Sequence, residues 1–318
     1  MISSGLTFRY PLLMNTTQTL QGDIPVGNWI DRHMPAVIRP YLRLMRLDRP
    51  IGTWLLLFPC WWSAAMATDG LPNLGLFALF AMGAVVMRGA GCTFNDWADR
   101  DFDGKVARTA SRPIPSGAIT PRQALAFLGL LLAVGLVVLL QLNSFAVMVG
   151  VASLLLVFPY PFMKRITYWP QAWLGLTFNW GALLGWAAVK GDLELPALLL
   201  YAAGPFWTLG YDTIYAHQDK EDDALVGVKS TALALGDATP KWLWLFYGMT
   251  LVLVAASGWS AGLGWAFWPL LALAGAHLVW QILKVDIHDS ADCLDKFKSN
   301  RHFGWLLLAA IIAGRWLS

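Results

Sequence analysis

The chain has 318 residues, 57% of them hydrophobic and only 14% charged, against about 25% charged in a typical soluble domain. A mean hydropathy of +0.52 and 18 tryptophans point to long apolar runs bordered by two water–lipid interfaces, and exclude an ordinary water-soluble globule. A net charge of +3, carried by dispersed basic residues, excludes a nucleic-acid-binding surface.

Residues 1–27 read as a tail with no assignable role, and residues 1–50 are too long and too polar for a cleavable signal. Residues 28–49, with Pro35 and Pro40, read as a segment lying on the membrane surface. The expected organisation is therefore a tail and interfacial segment over residues 1–40, and one transmembrane domain over 41–318. Apolar runs near the roughly 20 residues needed to cross hydrocarbon fall at 51–68, 73–92, 121–141, 144–163, 170–189, 195–212, 241–258, 262–283 and 302–317. The fold class expected is all-α, with nine transmembrane helices. Of the 23 Lys and Arg, only Lys190 and Arg315 fall on one side of this partition, and all the rest fall on the other. Positive charge stays cytoplasmic, so the N-terminus and the long loops are expected there. Cys60, Cys92 and Cys293 lack metal spacing and read as small buried apolar residues.

Chemistry concentrates where the second and sixth runs meet the cytoplasm. The first cluster carries Asn95, Asp96, Asp99 and Asp103, and on a helix the aspartates at i, i+3 and i+7 share one face while Asp101 points away. The second carries Asp212, Tyr215, Asp219 and Asp223 at i, i+3, i+7 and i+11, again on one face if the helix continues, with His217 and Glu221 off it. Carboxylates stacked at helix spacing repel one another, and a helix C-terminus disfavours anions. A divalent cation between them removes both penalties. All-oxygen ligation selects a hard ion, and Mg²⁺ is favoured because it shares its positions between carboxylates and a substrate phosphate. Four runs separate the clusters, so both emerge on the same side, and the chain reads as two four-helix halves plus a ninth helix around a central cavity. Lys105, Arg112, Lys164, Arg165 and Lys229 lie on that side, where a diphosphate would need cations.

These residues resemble the UbiA superfamily of intramembrane aromatic prenyltransferases. Its N-D-x-x-D-x-x-x-D motif is met by Asn95, Asp96, Asp99 and Asp103, and its D-x-x-x-D motif with an upstream Tyr by Tyr215, Asp219 and Asp223. The strings Arg46-Leu47-Asp48-Arg49-Pro50-Ile51-Gly52, Met87-Arg88-Gly89-Ala90-Gly91-Cys92, Ser111-Arg112-Pro113-Ile114-Pro115-Ser116-Gly117, Tyr160-Pro161-Phe162-Met163-Lys164-Arg165 and Tyr211-Asp212-Thr213-Ile214-Tyr215-Ala216 look closer to the branch that prenylates 4-hydroxybenzoate in ubiquinone synthesis. The resemblance covers about residues 40–318. It implies Mg²⁺ between the two motifs, polyprenyl diphosphate and 4-hydroxybenzoate as substrates, and alkylation next to the acceptor hydroxyl. In that frame Arg112, Lys164, Lys105 and Lys229 are expected on the diphosphate, and Arg46, Arg49, Tyr160 and Ser116 on the acceptor. Asp212, Arg165 and Tyr215 are expected to act on the reacting groups, with Trp207 as a further aromatic face. The setting expected is a bacterial inner membrane, or the mitochondrial inner membrane in a eukaryote, with no obligatory protein partner. A sibling enzyme with another aromatic acceptor and a divalent-cation transporter are the alternatives. The second would want polar groups deep in several spans.

Overall fold

The computed structural model describes residue 24 and residues 27–104 and 109–317, and among these no strand occurs. Two short helices, α1 (Trp29–His33) and α2 (Arg39–Leu44), precede α3 (Ile51–Ala67), α4 (Leu74–Asp103) and α5 (Pro121–Leu139). The chain continues through α6 (Ser144–Ala152), α7 (Leu154–Val157), α8 (Tyr160–Ile166), α9 (Pro170–Phe178), α10 (Gly181–Lys190) and α11 (Leu195–Ala216). After α12 (Lys220–Val226) and α13 (Thr231–Leu235) come α14 (Thr239–Ser260), α15 (Phe267–Lys284) and α16 (Ser290–Trp316).

Local sequence explains where these helices start and stop. Thr120 caps α5 through a capping box with Gln123, and Pro121 fills the first helical position where its missing N–H costs nothing. Gly191 ends α10 with φ at 77°, a left-handed conformation that glycine adopts without penalty. Among the described residues four helical runs are long and apolar enough to cross a membrane: Leu74–Asp101, Pro121–Leu139, Ser144–Ile166 and Thr231–Ser260. The outer face of α5 leaves Leu130, Val134 and Val137 exposed while Leu131, Gly135 and Val138 are buried. A helix that is apolar on every face has lipid for its solvent.

Two expected spans are not single helices. The run 144–163 is divided into α6, α7 and α8, because Ser153 turns its hydroxyl back onto the Gly150 carbonyl and Pro159 and Pro161 remove backbone donors. The run 170–189 breaks at Asn179 and Trp180. There the Asn179 side-chain amide donates to the Gly175 carbonyl one turn back and to the Thr208 hydroxyl of α11, tying the break to that helix. The last helix starts at Ser290, well before the expected 302, so its polar first turns extend out of the apolar zone.

The core lies among α3, α10, α11, α14, α15 and α16, filled by Phe58, Trp62, Trp186, Trp207, Tyr247, Phe267 and Phe303. Without a hydrophobic drive between helices in lipid, close backbone contact carries the packing. Helix α10 meets α3 at Gly185, where an added Cβ would stand 2.4 Å from the Cys60 carbonyl oxygen. At one end of the bundle, Arg315 Nε donates to the Met66 carbonyl at 2.7 Å, and Lys190 faces Asp69 at 3.7 Å. These are the two basic residues that the charge distribution set apart from all others. At the opposite end α2 is packed down, with Leu44 fully buried against Ile114 and Ile119 and Tyr41 edge-on to Phe127 at 5.0 Å.

The α3–α10 contact sets a stability test. Gly185→Ala puts a methyl into backbone and is expected to cost about 1–3 kcal/mol, lowering the melting temperature in detergent. An unchanged melting curve would mean that the two helices do not touch there.

Candidate active site

At 1.5 Å per residue the 30 residues of α4 extend about 45 Å, well beyond a hydrocarbon core of about 30 Å. Its last turns carry the first acidic cluster. Asp96 and Asp99 are fully buried and Asp103 nearly so, whereas Asp101 is exposed, as the helical spacing requires. Asn95 Nδ2 donates to Asp99 Oδ2 at 3.0 Å and orients that carboxylate.

Cations from three other stretches of chain converge on this face. Arg46, after α2, donates from Nη2 to Asp96 Oδ1 at 2.7 Å. Arg112, in the turn after the cluster, reaches Asp103 Oδ2 at 2.8 Å and Asp96 Oδ1 at 3.4 Å. From the last turn of α8, Lys164 Nζ lies 2.5 Å from Asp99 Oδ2 and Arg165 Nη2 3.2 Å from Asp99 Oδ1. Arg165 also caps the Ala98 carbonyl at 3.0 Å. Burial pushes the Asp103 carboxyl above its ordinary pKa; Arg112 opposes the rise, and the neighbouring Asp96 and Asp99 add to it. Arg46 is the one non-glycine residue with positive φ among the described residues, at 61°, a conformation that costs an L-residue about 1–2 kcal/mol.

The second cluster does not lie on one continuous helix, contrary to the single-face expectation. Helix α11 ends at Ala216, a 3₁₀ turn covers His217–Asp219, and α12 begins at Lys220. Helix ends often tighten into 3₁₀ geometry, and here the Gln218 side chain also takes up the Tyr215 carbonyl at 3.0 Å. The inward placement survives the break. Asp212, Tyr215, Asp219 and Asp223 are half-buried, and Glu221 and Asp222 are exposed. Tyr215 packs on Phe297 with ring centroids 4.5 Å apart. His217 is buried on Thr239 Oγ1 at 2.9 Å, and burial first, with Lys220 beside it, lowers its pKa to about 4, so it stays neutral.

Tyr160, at the start of α8, joins the two clusters, because its hydroxyl lies in the field of both Asp99 and Asp212. Arg88, two turns before the first cluster, acts on the same Tyr160 and Asp212. It rests over the Phe178 ring at 5.2 Å and against Gly52, where an added Cβ would stand 2.5 Å from Nε. Arg88 lies in the Met87–Cys92 string but carries no expected role from the sequence. Its position seven residues before Asn95, two helical turns along α4 and on much the same face, is the signal that would have found it.

Other expected residues are placed differently. Lys229 donates to the Ile166 carbonyl at 3.1 Å and lies over Tyr168, and its backbone N–H bonds the Lys164 carbonyl at 2.9 Å, so it ties the loop after α12 to α8. Ser116 is exposed, with its hydroxyl 3.4 Å from the Pro113 carbonyl. Arg49 faces Asp48 at 3.6 Å. Trp207 belongs to the core and donates to Asn300 Oδ1 at 2.9 Å. Lys105 lies outside the described residues.

The donor set fits a hard divalent ion, though in this arrangement basic side chains cover it. Among the described residues no three His, Cys, Asp or Glu side chains converge into a ready-made cage. Asp96 nevertheless keeps Oδ2 buried and without a hydrogen bond, a full acceptor in want of a partner. Oxygen-only donors with one such orphan suit Mg²⁺, which completes its shell with water and phosphate oxygens.

Comparison with known proteins places the chain among membrane prenyltransferases. The profile of the UbiA prenyltransferase family matches residues 56–308. A mitochondrial 4-hydroxybenzoate polyprenyltransferase of Arabidopsis thaliana is 55% identical over 292 residues, 91% of this chain and 72% of its own. Proteins of the same name from Rattus norvegicus and Caenorhabditis elegans are 54% and 52% identical, covering 88% and 91% of this chain and 76% and 82% of theirs. Among solved structures, an apo UbiA homologue from Aeropyrum pernix K1 superposes with a TM-score of 0.65 at 25% identity, over 82% of this chain and 96% of that one. A UbiA homologue from Archaeoglobus fulgidus bound to DMAPP and Mg²⁺ shares the fold with a TM-score of 0.64 at 18% identity, over 86% and 99%. With its acidic helix ends brought to one side of an all-helical membrane fold, the chain belongs to the UbiA prenyltransferase family.

Proposed function

We propose that this chain is a Mg²⁺-dependent prenyltransferase of ubiquinone synthesis. It moves a polyprenyl group from polyprenyl diphosphate to the carbon of 4-hydroxybenzoate next to the hydroxyl, giving 3-polyprenyl-4-hydroxybenzoate. The observation that carries the reading is a buried carboxylate face, ringed by cations, in a chain more than half identical to enzymes named for that reaction. Nine crossings, with the N-terminus and the site in the cytoplasm or mitochondrial matrix, accommodate the four strongly apolar helices and the far-end placement of Lys190 and Arg315. The mitochondrial names of the relatives favour the mitochondrial inner membrane.

Asn95, Asp96, Asp99 and Asp103 from α4, with Asp219 and Asp223 from the second cluster, would hold magnesium. When bound, the metal supplies Lewis-acid stabilisation of the departing diphosphate. The chain's own residues do the rest. Arg112 and Lys164, already at the carboxylates, present N–H groups to diphosphate oxygens, and Lys105 is assigned to the same group from its sequence position. As the allylic C–O bond breaks, Tyr160 and Tyr215 offer ring faces to the developing cation. Arg49 and Arg165 attract the acceptor carboxylate, and Tyr160 bounds its ring. The ring carbon then forms the new C–C bond, and Asp212, half-buried beside Tyr160, accepts the proton displaced from it. Diphosphate leaves with both electrons of the broken bond. Lys229 and Ser116 act on loop geometry rather than on either substrate.

A membrane assay with Mg²⁺, labelled 4-hydroxybenzoate and a polyprenyl diphosphate tests this reading. Asp96→Asn and Asp219→Asn are each expected to lower turnover by about 10²-fold or more, and chelation to abolish it. Turnover that survives both would remove the metal from the chemistry. Lys164→Gln loses a charge-assisted contact of about 1.5–3 kcal/mol, so kcat/KM for the polyprenyl diphosphate should fall about 10- to 100-fold while KM for 4-hydroxybenzoate holds. A rise confined to the acceptor KM would move Lys164 to the other substrate. In a panel of aromatic acceptors, 4-hydroxybenzoate should be preferred; a dihydroxynaphthoate or homogentisate preference would reassign the branch.

A further inference from the structure

Helix α2 ends in a Schellman motif. The Leu47 N–H bonds the Leu42 carbonyl at 3.1 Å and the Arg46 N–H bonds the Arg43 carbonyl at 3.0 Å. The motif places its residue after the cap in the left-handed region, where glycine is usual. This chain carries an arginine there, with φ at 61°. A side chain that the backbone disfavours calls for a role of its own, and the inference runs from the outlier to that role. Arg46 reaches from this turn to Asp96 Oδ1 at 2.7 Å, closer than Arg112 at 3.4 Å, and both members of the pair are largely buried. The turn is anchored on both sides. Leu44 is sunk against Ile114 and Ile119, and Met45 fills the space over Gly89, two turns before Asp96.

We propose that Arg46 is a built-in counter-ion for Asp96, a positioning residue that holds this carboxylate aimed until divalent metal displaces it. Metal and guanidinium compete for the same oxygen, so Arg46 weakens binding of the ion alone, and the site fills only when diphosphate adds its own oxygens. Magnesium in the membrane's aqueous margin is thereby kept from occupying Asp96 without substrate. This assignment rests on the proposed function, because it takes Asp96 as a metal ligand. It replaces the expectation that Arg46 binds the acceptor carboxylate.

Mn²⁺ binding to the full chain in detergent, followed by the loss of the free-ion paramagnetic signal and without diphosphate or acceptor, tests it apart from catalysis. Arg46→Asn and Arg46→Gly both suit a left-handed backbone and remove the charge, so neither is expected to unfold the turn. Each should bind Mn²⁺ about tenfold more tightly than wild type, a difference of about 1.4 kcal/mol. Arg43→Gln, which removes a charge from the same helix but whose parent side chain pairs with Asp31, should change it less than twofold. Unchanged or weaker Mn²⁺ binding in both Arg46 variants overturns the proposal, as does an equal gain in Arg43→Gln, which would reduce the effect to net charge. A wild type that shows the Arg46 effect but transfers no prenyl group to 4-hydroxybenzoate would sink the functional reading and leave this one standing.

Discussion

Three buried carboxylates on one face of α4 are the constraint around which the rest of the site is arranged. Such a stack is intolerable in a low-dielectric setting without opposite charge close by, because burying an ion costs several kcal/mol even after relaxation. The chain answers with cations from three places: the turn after α2, the Pro-rich turn after α4 and the last turn of α8. Each of those turns has its own hydrophobic or backbone anchor, so the electrostatics are fixed by packing. Leu44 and Ile114 sit in one small apolar cluster, and the backbone of Lys164 is stapled to Lys229. Remove the carboxylates and these turns have no common target.

The second cluster is looser. Its carboxylates are half-buried, spread over a helix end, a 3₁₀ turn and a new short helix. That asymmetry suits a site in which one wall is preset and the other adapts to what is bound. Tyr160 marks where the walls face each other, since both clusters act on it, and Arg88 adds a cation that none of the long loops supplies.

Much of this was legible in the residues alone. Apolar runs gave the positions of the helices, and the separation of Lys190 and Arg315 from other basic residues anticipated the end of the bundle where both are found. The face shared by Asp96, Asp99 and Asp103 followed from helical periodicity and held, because α4 stays helical throughout. The same arithmetic failed at Asp219, since periodicity says nothing about where a polar helix end tightens. The breaks at Ser153 and Asn179 were hidden for a related reason: a side chain preferring a partner on another turn or helix cannot be read from hydropathy. The contact of Arg46 with Asp96 and the influence of Arg88 on Asp212 could not be read locally, because they join residues 50 positions or one helix apart.

The overhang of α4 has a consequence for how such an enzyme handles a substrate with two incompatible ends. Under the proposed function its acidic turns would stand above the hydrocarbon layer, so that the charged head of the donor is met at the waterline and never has to be dragged into oil. The isoprenoid tail meanwhile remains among lipid chains, and lengthening it adds units that lie ever farther from the reacting carbon. Once the anionic head is lost, the new molecule is held at the surface only by a small ring, and the bilayer itself draws the greasy product away.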